Sequence, residues 1–147
     1  MISKHKLDNF NPKFTVVGCF IDHNGEILLI KRHKDKPQGN TWATPSGKVD
    51  PEETEIQAMI REVFEETGLK LDSKKLIFIE KSYVRFPTFD FTYIFYRYIL
   101  DSKDRPKIIL NDTEDTAYKW LTPKDALKED YIEDLDYCIK TTYNIHT

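Results

Sequence analysis

The sequence predicts a single mixed α/β domain, and three observations carry that reading. At 147 residues the chain is the size of one domain, 1–147, and it holds no internal repeat, low-complexity tract or dividing linker. Segments with a strand period lie on both sides of a stretch with a helical period. Aromatic residues make up 13% of the chain, which suits a substantial sheet or a stacking pocket. Hydrophobic and charged shares of 39% and 32% describe a soluble globular chain. No apolar run is long enough to cross a bilayer, so no membrane partner is expected. The first residues, MISKHKLDNFNPKF, lack the apolar centre of a secretory signal. Cys19 and Cys138 form no metal or redox spacing, and are expected as buried free thiols in a cytoplasmic protein. A net charge of −3 argues against broad binding to nucleic acid, although a local basic patch stays open.

Each element has its own signal. Lys13 to Ile21 (KFTVVGCFI) is a β-branched apolar run and predicts a buried strand, and Asn24-Gly25 predicts a turn into a partner strand over Glu26 to Arg32. A basic, turn-rich loop spans His33 to Asn40, and Thr41 to Gly47 is short and irregular, with Trp42 as a buried anchor. Asp50, Pro51 and the acids after them predict a helix N-terminus at Asp50, and Gly68 predicts its end. Lys75 to Val84 and Thr88 to Leu100 predict two strands. The second alternates, with Phe89, Phe91, Tyr93 and Phe95 on one face and Asp90, Thr92, Ile94 and Tyr96 on the other. Lys107 to Leu110 reads as a short strand, Asn111 to Asp115 as an acidic loop, and Ala117 to Leu121 as a further strand. Thr122-Pro123 opens a short helix through Leu127. Asp130, with Glu133 three residues on, predicts the cap of a last helix whose apolar face holds Tyr131, Leu135, Cys138 and Ile139.

The stretch from Gly47 to Leu69, GKVDPEETEIQAMIREVFEETGL, carries the chemistry. Glu62, Glu65 and Glu66 sit at i, i+3 and i+4, on one helical face within one turn. Ile56, Met59, Ile60, Val63 and Phe64 are expected on the opposite side. Carboxylates that close repel unless a cation stands among them, so the face looks like a divalent metal site. A solvated acidic face is the competing reading of the same spacing.

This stretch resembles the Nudix hydrolase signature, G-x5-E-x7-R-E-U-x-E-E-x-G-U with U a bulky aliphatic. Gly47, Glu53, Arg61, Glu62, Val63, Glu65, Glu66, Gly68 and Leu69 fill every specified position. The resemblance implies an α/β/α sandwich around a mixed β-sheet, and Mg²⁺-dependent hydrolysis of a nucleoside diphosphate linked to another group, with Mn²⁺ as an alternative ion. Glu62, Glu65, Glu66 and the Gly47 carbonyl would hold the metal. Arg61 would orient the acids, with Glu53 as its partner. Family members take their general base from a box glutamate, here Glu65, or from a downstream loop. In that loop Glu114 is the natural candidate, with Asp112 and Asp115 behind it. Arg32 would meet substrate phosphate. Pro45-Ser46-Gly47 departs from the Pro-Gly-Gly of many members, which puts strain at Ser46 in question.

Hard oxygen ligands select Mg²⁺ or Mn²⁺, and pyrophosphate cleavage needs positioning, charge neutralisation and an in-line water. Tyr83, Phe86, Phe91, Tyr93 and Phe95 are of a type to stack a nucleobase, or equally to fill a sheet core; Tyr83 and Phe86 are the chosen substrate contacts. The substrate expected is a small nucleotide, such as a nucleoside triphosphate cleaved to monophosphate and pyrophosphate. An RNA 5′-pyrophosphohydrolase and a catalytically silent nucleotide sensor are the alternatives. A homodimer is compatible with the resemblance.

Overall fold

The computed structural model describes residues 1–146, and the α/β expectation holds. One mixed sheet of eight strands runs β1 (Ile2–Ser3), β2 (Pro12–His23), β3 (Glu26–Arg32), β4 (Trp42–Ala43), β5 (Ser46–Lys48), β6 (Ile77–Arg85), β7 (Asp90–Ile99) and β8 (Asp115–Leu121) in chain order. Helix α1 (Glu55–Thr67) follows β5, and α2 (Pro123–Ala126) and α3 (Leu135–Tyr143) close the chain. Among the described residues no helix is long and apolar enough to cross a membrane.

Helices cover both faces of the sheet, which gives the α/β/α layering. On one face Ala58, Met59 and Val63 of α1 pack with Val17, Cys19, Ile21, Leu28, Ile30, Ile94 and Tyr96. On the other, Leu135, Cys138 and Ile139 of α3 and Ala126 of α2 pack with Phe20, Ile27, Leu29 and Phe95. Cys19 and Cys138 are buried free thiols, one in each core. The alternation in β7 is as expected, with Ile94 and Tyr96 in the α1 core and Phe95 in the α3 core.

The sheet is split. β2 and β3 share two register pairs next to their turn, Asp22 with Ile27 and His23 with Glu26. Beyond those pairs β2 runs parallel to β7 and takes β5 on its other edge, while β3 pairs with β4 and β8. The two halves diverge from the hairpin and leave an opening between them.

Several local expectations are corrected. Helix α1 is capped by Thr54 rather than Asp50. The Thr54 hydroxyl accepts from Gln57 N (3.1 Å), and the Gln57 side chain accepts from Thr54 N (2.9 Å), a reciprocal capping box. Asp50 instead closes a tight turn, its carbonyl accepting from Glu53 N at 3.2 Å. Ile56 and Phe64, expected in the core, are 41% and 48% exposed, because the helix turns Ala58, Met59 and Val63 inward and brings Glu66 in beside them. Lys107 to Leu110 forms no strand; Ile109 N donates to Thr67 O (2.9 Å) and satisfies the end of α1. The last helix starts at Leu135, not Asp130. Trp42 N donates to Asp130 O (2.8 Å) and Ile132 N to Trp42 O (2.9 Å), so residues 130–132 are drawn against β4 instead. Trp42 itself is half-buried, with the Lys119 ammonium 4.3 Å from its ring centre. Gly68 ends α1 as expected, in the left-handed region at φ 78°.

Candidate functional site

Because α1 begins only at Glu55, Glu53 stands in the turn before it, free to fold back on Arg61. Arg61 Nε donates to Glu53 Oε2 (3.0 Å) and Nη2 to Glu53 Oε1 (2.5 Å), a forked pair. Nη1 donates to Glu62 Oε1 (2.9 Å) and lies 3.3 Å from Glu65 Oε2. Nη2 also donates to Lys48 O (3.1 Å) and stands 3.5 Å from Asp50 Oδ2. One guanidinium therefore ties four carboxylates to the strand that carries Gly47. Hydrogen bonding from Arg61 holds the Glu53 carboxyl down at about 2, and Glu53 in turn raises Arg61.

Gly47 is needed for space. Its φ is not in the left-handed region, but a Cβ there would overlap the Glu62 carboxylate. Ser46 likewise has an ordinary φ, so replacing the common glycine brings no backbone strain. Its N–H donates to Glu66 Oε2 at 2.8 Å.

Behind this shell the charge balance is unfavourable. Glu66 is buried, and burial, followed by the nearby Asp115 and Glu62, pushes its carboxyl well above the usual range. Glu62 is raised by burial against the pull of Arg61. Asp115 is raised to about 6 by burial and then by Glu114, with Arg32 and Lys36 pulling the other way. Its Oδ2 is buried without a hydrogen-bond partner. An orphaned buried carboxylate oxygen beside repelling acids is what a bound cation relieves, and a donor set made only of oxygens suits Mg²⁺ or Mn²⁺. The residues fit such an ion. They do not yet enclose one: among the described residues no three acid, histidine or cysteine side chains form a ready coordination shell. Arg61 holds Glu62 and Glu65 to itself, and side-chain rotation is what would gather them on a metal.

A cavity of about 560 Å³ opens from this shell into the split of the sheet. Gly47, Glu62, Glu65, Glu66, Arg32, Glu114 and Phe86 all line it. Glu53 and Arg61 stand outside the lining and act on it through Glu62 and Glu65. Tyr83 does not line it. The alternation of β6 turns Tyr83 away from the face that presents Val84, and its ring packs edge-on against Phe10 at 5.1 Å. The aromatic wall is Phe14, Phe86, Phe89, Phe91 and Tyr93, with Phe14 and Phe91 stacked at 5.4 Å. Arg85 and Asp90 pair across the base of the β6–β7 turn (2.8 Å), which holds Phe86 and Phe89 in place.

Two loops meet at the mouth. Lys36 Nζ is 2.6 Å from Glu114 Oε2, and His33 N donates to Glu114 O (2.9 Å). Arg32 Nε donates to Pro37 O at 2.9 Å. Lining residues that the sequence did not single out are Lys48, whose ammonium lies 4.1 Å over the Phe14 ring, Thr44, Gln38 and Asp134. Phe14 was legible from its place on a strand whose alternate residues face one way. Gln38 and Asp134 had no such signal, because their positions follow from left-handed backbone conformations at φ 53° and 70°.

Comparison with known proteins agrees with this geometry. The chain is 37% identical over 79 residues to the mouse (Mus musculus) 8-oxo-dGDP phosphatase NUDT18, covering 52% of this chain and 24% of that protein. It is 34% identical over 79 residues to an RNA pyrophosphohydrolase of Tolumonas auensis, covering 54% and 42%. A 55-residue match, 40% identical, reaches the CTP pyrophosphohydrolase of Escherichia coli, covering 37% and 41%. The matched stretches thus span less than half the length of each of these relatives. Among solved structures, a MutT NUDIX hydrolase from Burkholderia pseudomallei superposes with a TM-score of 0.75 over 87% of this chain and 96% of that one, at 24% identity. A bifunctional NMN adenylyltransferase/ADP ribose pyrophosphatase from Francisella tularensis, complexed with AMP and a manganese ion, gives 0.74 over 92% and 42%, at 26% identity. With the NUDIX domain matching residues 12–141, from the first long strand through most of α3, this chain belongs to the Nudix family.

Proposed function

We propose that the chain is a cytoplasmic hydrolase of phosphoric anhydride bonds in small nucleotides, cleaving a nucleoside triphosphate to monophosphate and pyrophosphate with Mg²⁺, or Mn²⁺ in its place. The observation that carries this reading is the make-up of one cavity. It brings an oxygen-donor acid cluster, two cations (Arg32 and Lys36) and a phenylalanine wall to one ligand. Phosphates suit the first two and a nucleobase the third. The relatives' printed activities, all on phosphorylated nucleotides or RNA, point the same way.

Glu62, Glu65, Glu66 and the Gly47 carbonyl would hold the ion, and Arg61, anchored on Glu53, keeps the acids in place. When bound, the ion neutralises phosphate charge and makes water a stronger nucleophile. A water oxygen attacks one phosphorus, the bridging P–O bond breaks, and the electron pair leaves on the departing phosphate oxygen. The water proton passes to a carboxylate. Glu114 would take it once phosphate draws Lys36 off, with Glu65, one of the α1 acids lining the same cavity, as the other candidate.

The test is a panel of nucleoside di- and triphosphates, sugar nucleotides and a 5′-triphosphate RNA, with Mg²⁺ or Mn²⁺, following phosphate and pyrophosphate release. Glu66→Gln should keep the fold, since its amide oxygen can still accept from Ser46 N–H. Turnover should drop by roughly 100-fold or more, beyond the usual cost of losing an outer metal partner. Wild-type turnover by that variant would remove Glu66 from the metal site. Tight nucleotide binding without hydrolysis of any member would replace the enzyme by a sensor. A second reading, removal of pyrophosphate from RNA 5′ ends, is favoured by the RNA pyrophosphohydrolase relatives, and the net charge of −3 weighs against it. Preference for the RNA over free nucleotides would decide for it. Sedimentation of the purified chain tests the homodimer.

A further inference from the structure

Lys36 and Glu114 meet at the mouth of the cavity, and both are held at the backbone. His33 N donates to Glu114 O (2.9 Å), and Glu114 N and Asp115 N both donate to Asn111 O (3.0 Å each). Lys36 N donates to His33 O (3.0 Å), and Asn40 N closes the same loop on Arg32 O (3.0 Å). The Gln38 side chain of that loop accepts from Glu133 N at 2.7 Å. What is left to move is the two side chains. Their ion pair, Lys36 Nζ to Glu114 Oε2 at 2.6 Å, is partly exposed, at 34% and 43%. Resting on the nucleotide reading above, we infer that Lys36 is a positioning residue that counts phosphates. It holds Glu114 until the third phosphate of the substrate chain takes its ammonium.

The lining of the cavity gives the chain its direction. The acids of α1, the phenylalanines, and the cations Arg32 and Lys36 all face the same space. After burial and the nearer acids, Glu114 is among the groups that raise the Glu62 and Glu66 carboxyls, so it stands at their end of the cavity. The bond whose cleavage gives monophosphate and pyrophosphate joins the first two phosphates, so those two occupy the acid end with the ion. A third phosphate is the one left to reach Lys36. A carboxylate beside an ammonium resists taking a proton, because the cation favours its ionised form. A terminal phosphate, with about two charges and three strong acceptor oxygens, is a better partner for Nζ than one carboxylate. Once released, Glu114 takes the water proton as the water oxygen bonds to phosphorus and the bridging P–O bond breaks, its electron pair leaving on the departing phosphate. A diphosphate ends at the ion and leaves Nζ on Glu114.

The experiment measures kcat and KM separately on the full chain with Mg²⁺, for ATP, GTP, CTP and UTP and the matching diphosphates. The variants are Lys36→Met, Lys36→Arg, Glu114→Gln and the double variant Lys36→Met with Glu114→Gln, and thermal melts check that each folds. Lys34→Met, exposed in the same loop and outside the lining, controls for the lost charge. For the base turned over best, wild-type kcat should be about 5-fold or more higher on the triphosphate than on the diphosphate, the upper range of what a partly exposed ion pair holds back. Lys36→Met should bring the diphosphate kcat up to that of the triphosphate, while KM for the triphosphate rises with the lost contact. Lys36→Arg and Lys34→Met should keep the preference. In the Glu114→Gln background Lys36→Met should no longer change kcat. A raised KM with the kcat ratio intact in Lys36→Met makes Lys36 a plain phosphate contact and overturns the inference. Equal kcat on both chain lengths in wild type overturns it, as does an effect of Lys36→Met on the ratio that survives in Glu114→Gln. Wild-type kcat in Glu114→Gln also overturns it and leaves the hydrolase reading standing. Absence of turnover on every nucleotide removes both.

Discussion

At the scale of single residues, the site depends on one absent side chain as much as on those present. Gly47 faces the Glu62 carboxylate so closely that a methyl group would displace it. Gly47→Ala should destabilise the protein by about 1 to 3 kcal/mol, the range for forcing extra volume into a packed place. Chemical denaturation measures that loss. Metal affinity should fall with it, because Glu62 must move to admit the methyl. The signature residues were legible because each has a fixed spacing along the chain, from β5 through the turn to the end of α1. The position of Glu66 was not. Spacing puts three glutamates on one face, but only packing decides that Glu66 is buried beside Asp115 while Glu65 stays half open. The contribution of Asp115 was hidden for the same reason, since its closeness to Glu66 joins β8 to α1 across a gap of nearly fifty residues.

At the scale of elements, the start of α1 decides what Glu53 can do. With Thr54 as the cap, Glu53 lies before the helix and its carboxylate is released to Arg61. Thr54→Ala should cost about 1 kcal/mol, read from urea denaturation, whereas Asp50→Ala should leave the helix unaffected. If the two variants changed places in that measurement, the cap assignment would be wrong. Both Asp50 and Thr54 are good capping residues, and Pro51 favours the earlier start. The glutamine at position 57 completes a reciprocal box only with Thr54, and two bonds outweigh one preference. The late start of α3 has a different origin. Its sequence carries a sound capping box at Asp130 and Glu133, but bonding of residues 130–132 to Trp42 is a contact across the molecule, which no local pattern announces. Strands were easier to read, because alternation and β-branching persist over seven to twelve residues in β2, β3 and β7.

At the scale of the whole molecule, the acid cluster couples stability to pH and to metal. Asp115 is raised to about 6, above the ordinary carboxylate value of about 4, and Glu62 and Glu66 are shifted in the same direction. An acid raised by folding binds its proton more tightly in the folded state. Its favourable contribution is complete below about pH 4 and is lost as pH rises through about 6. Without metal, the melting temperature should fall over that interval, and Asp115→Asn should flatten the fall. Added Mg²⁺ at pH 7 should restore what deprotonation removes, and chelation should reverse it; thermal melts with and without the ion measure both. A melting temperature that rises across the same interval without metal would contradict the burial of these groups. The split sheet has a consequence of its own. α1 and α3 rest on separate cores, one per face, and the diverging halves of the sheet leave a passage between them. A nucleotide lying through that passage would be a rivet: held by acids on one side and by the aromatic wall on the other, it would make two independently packed layers loosen together or not at all.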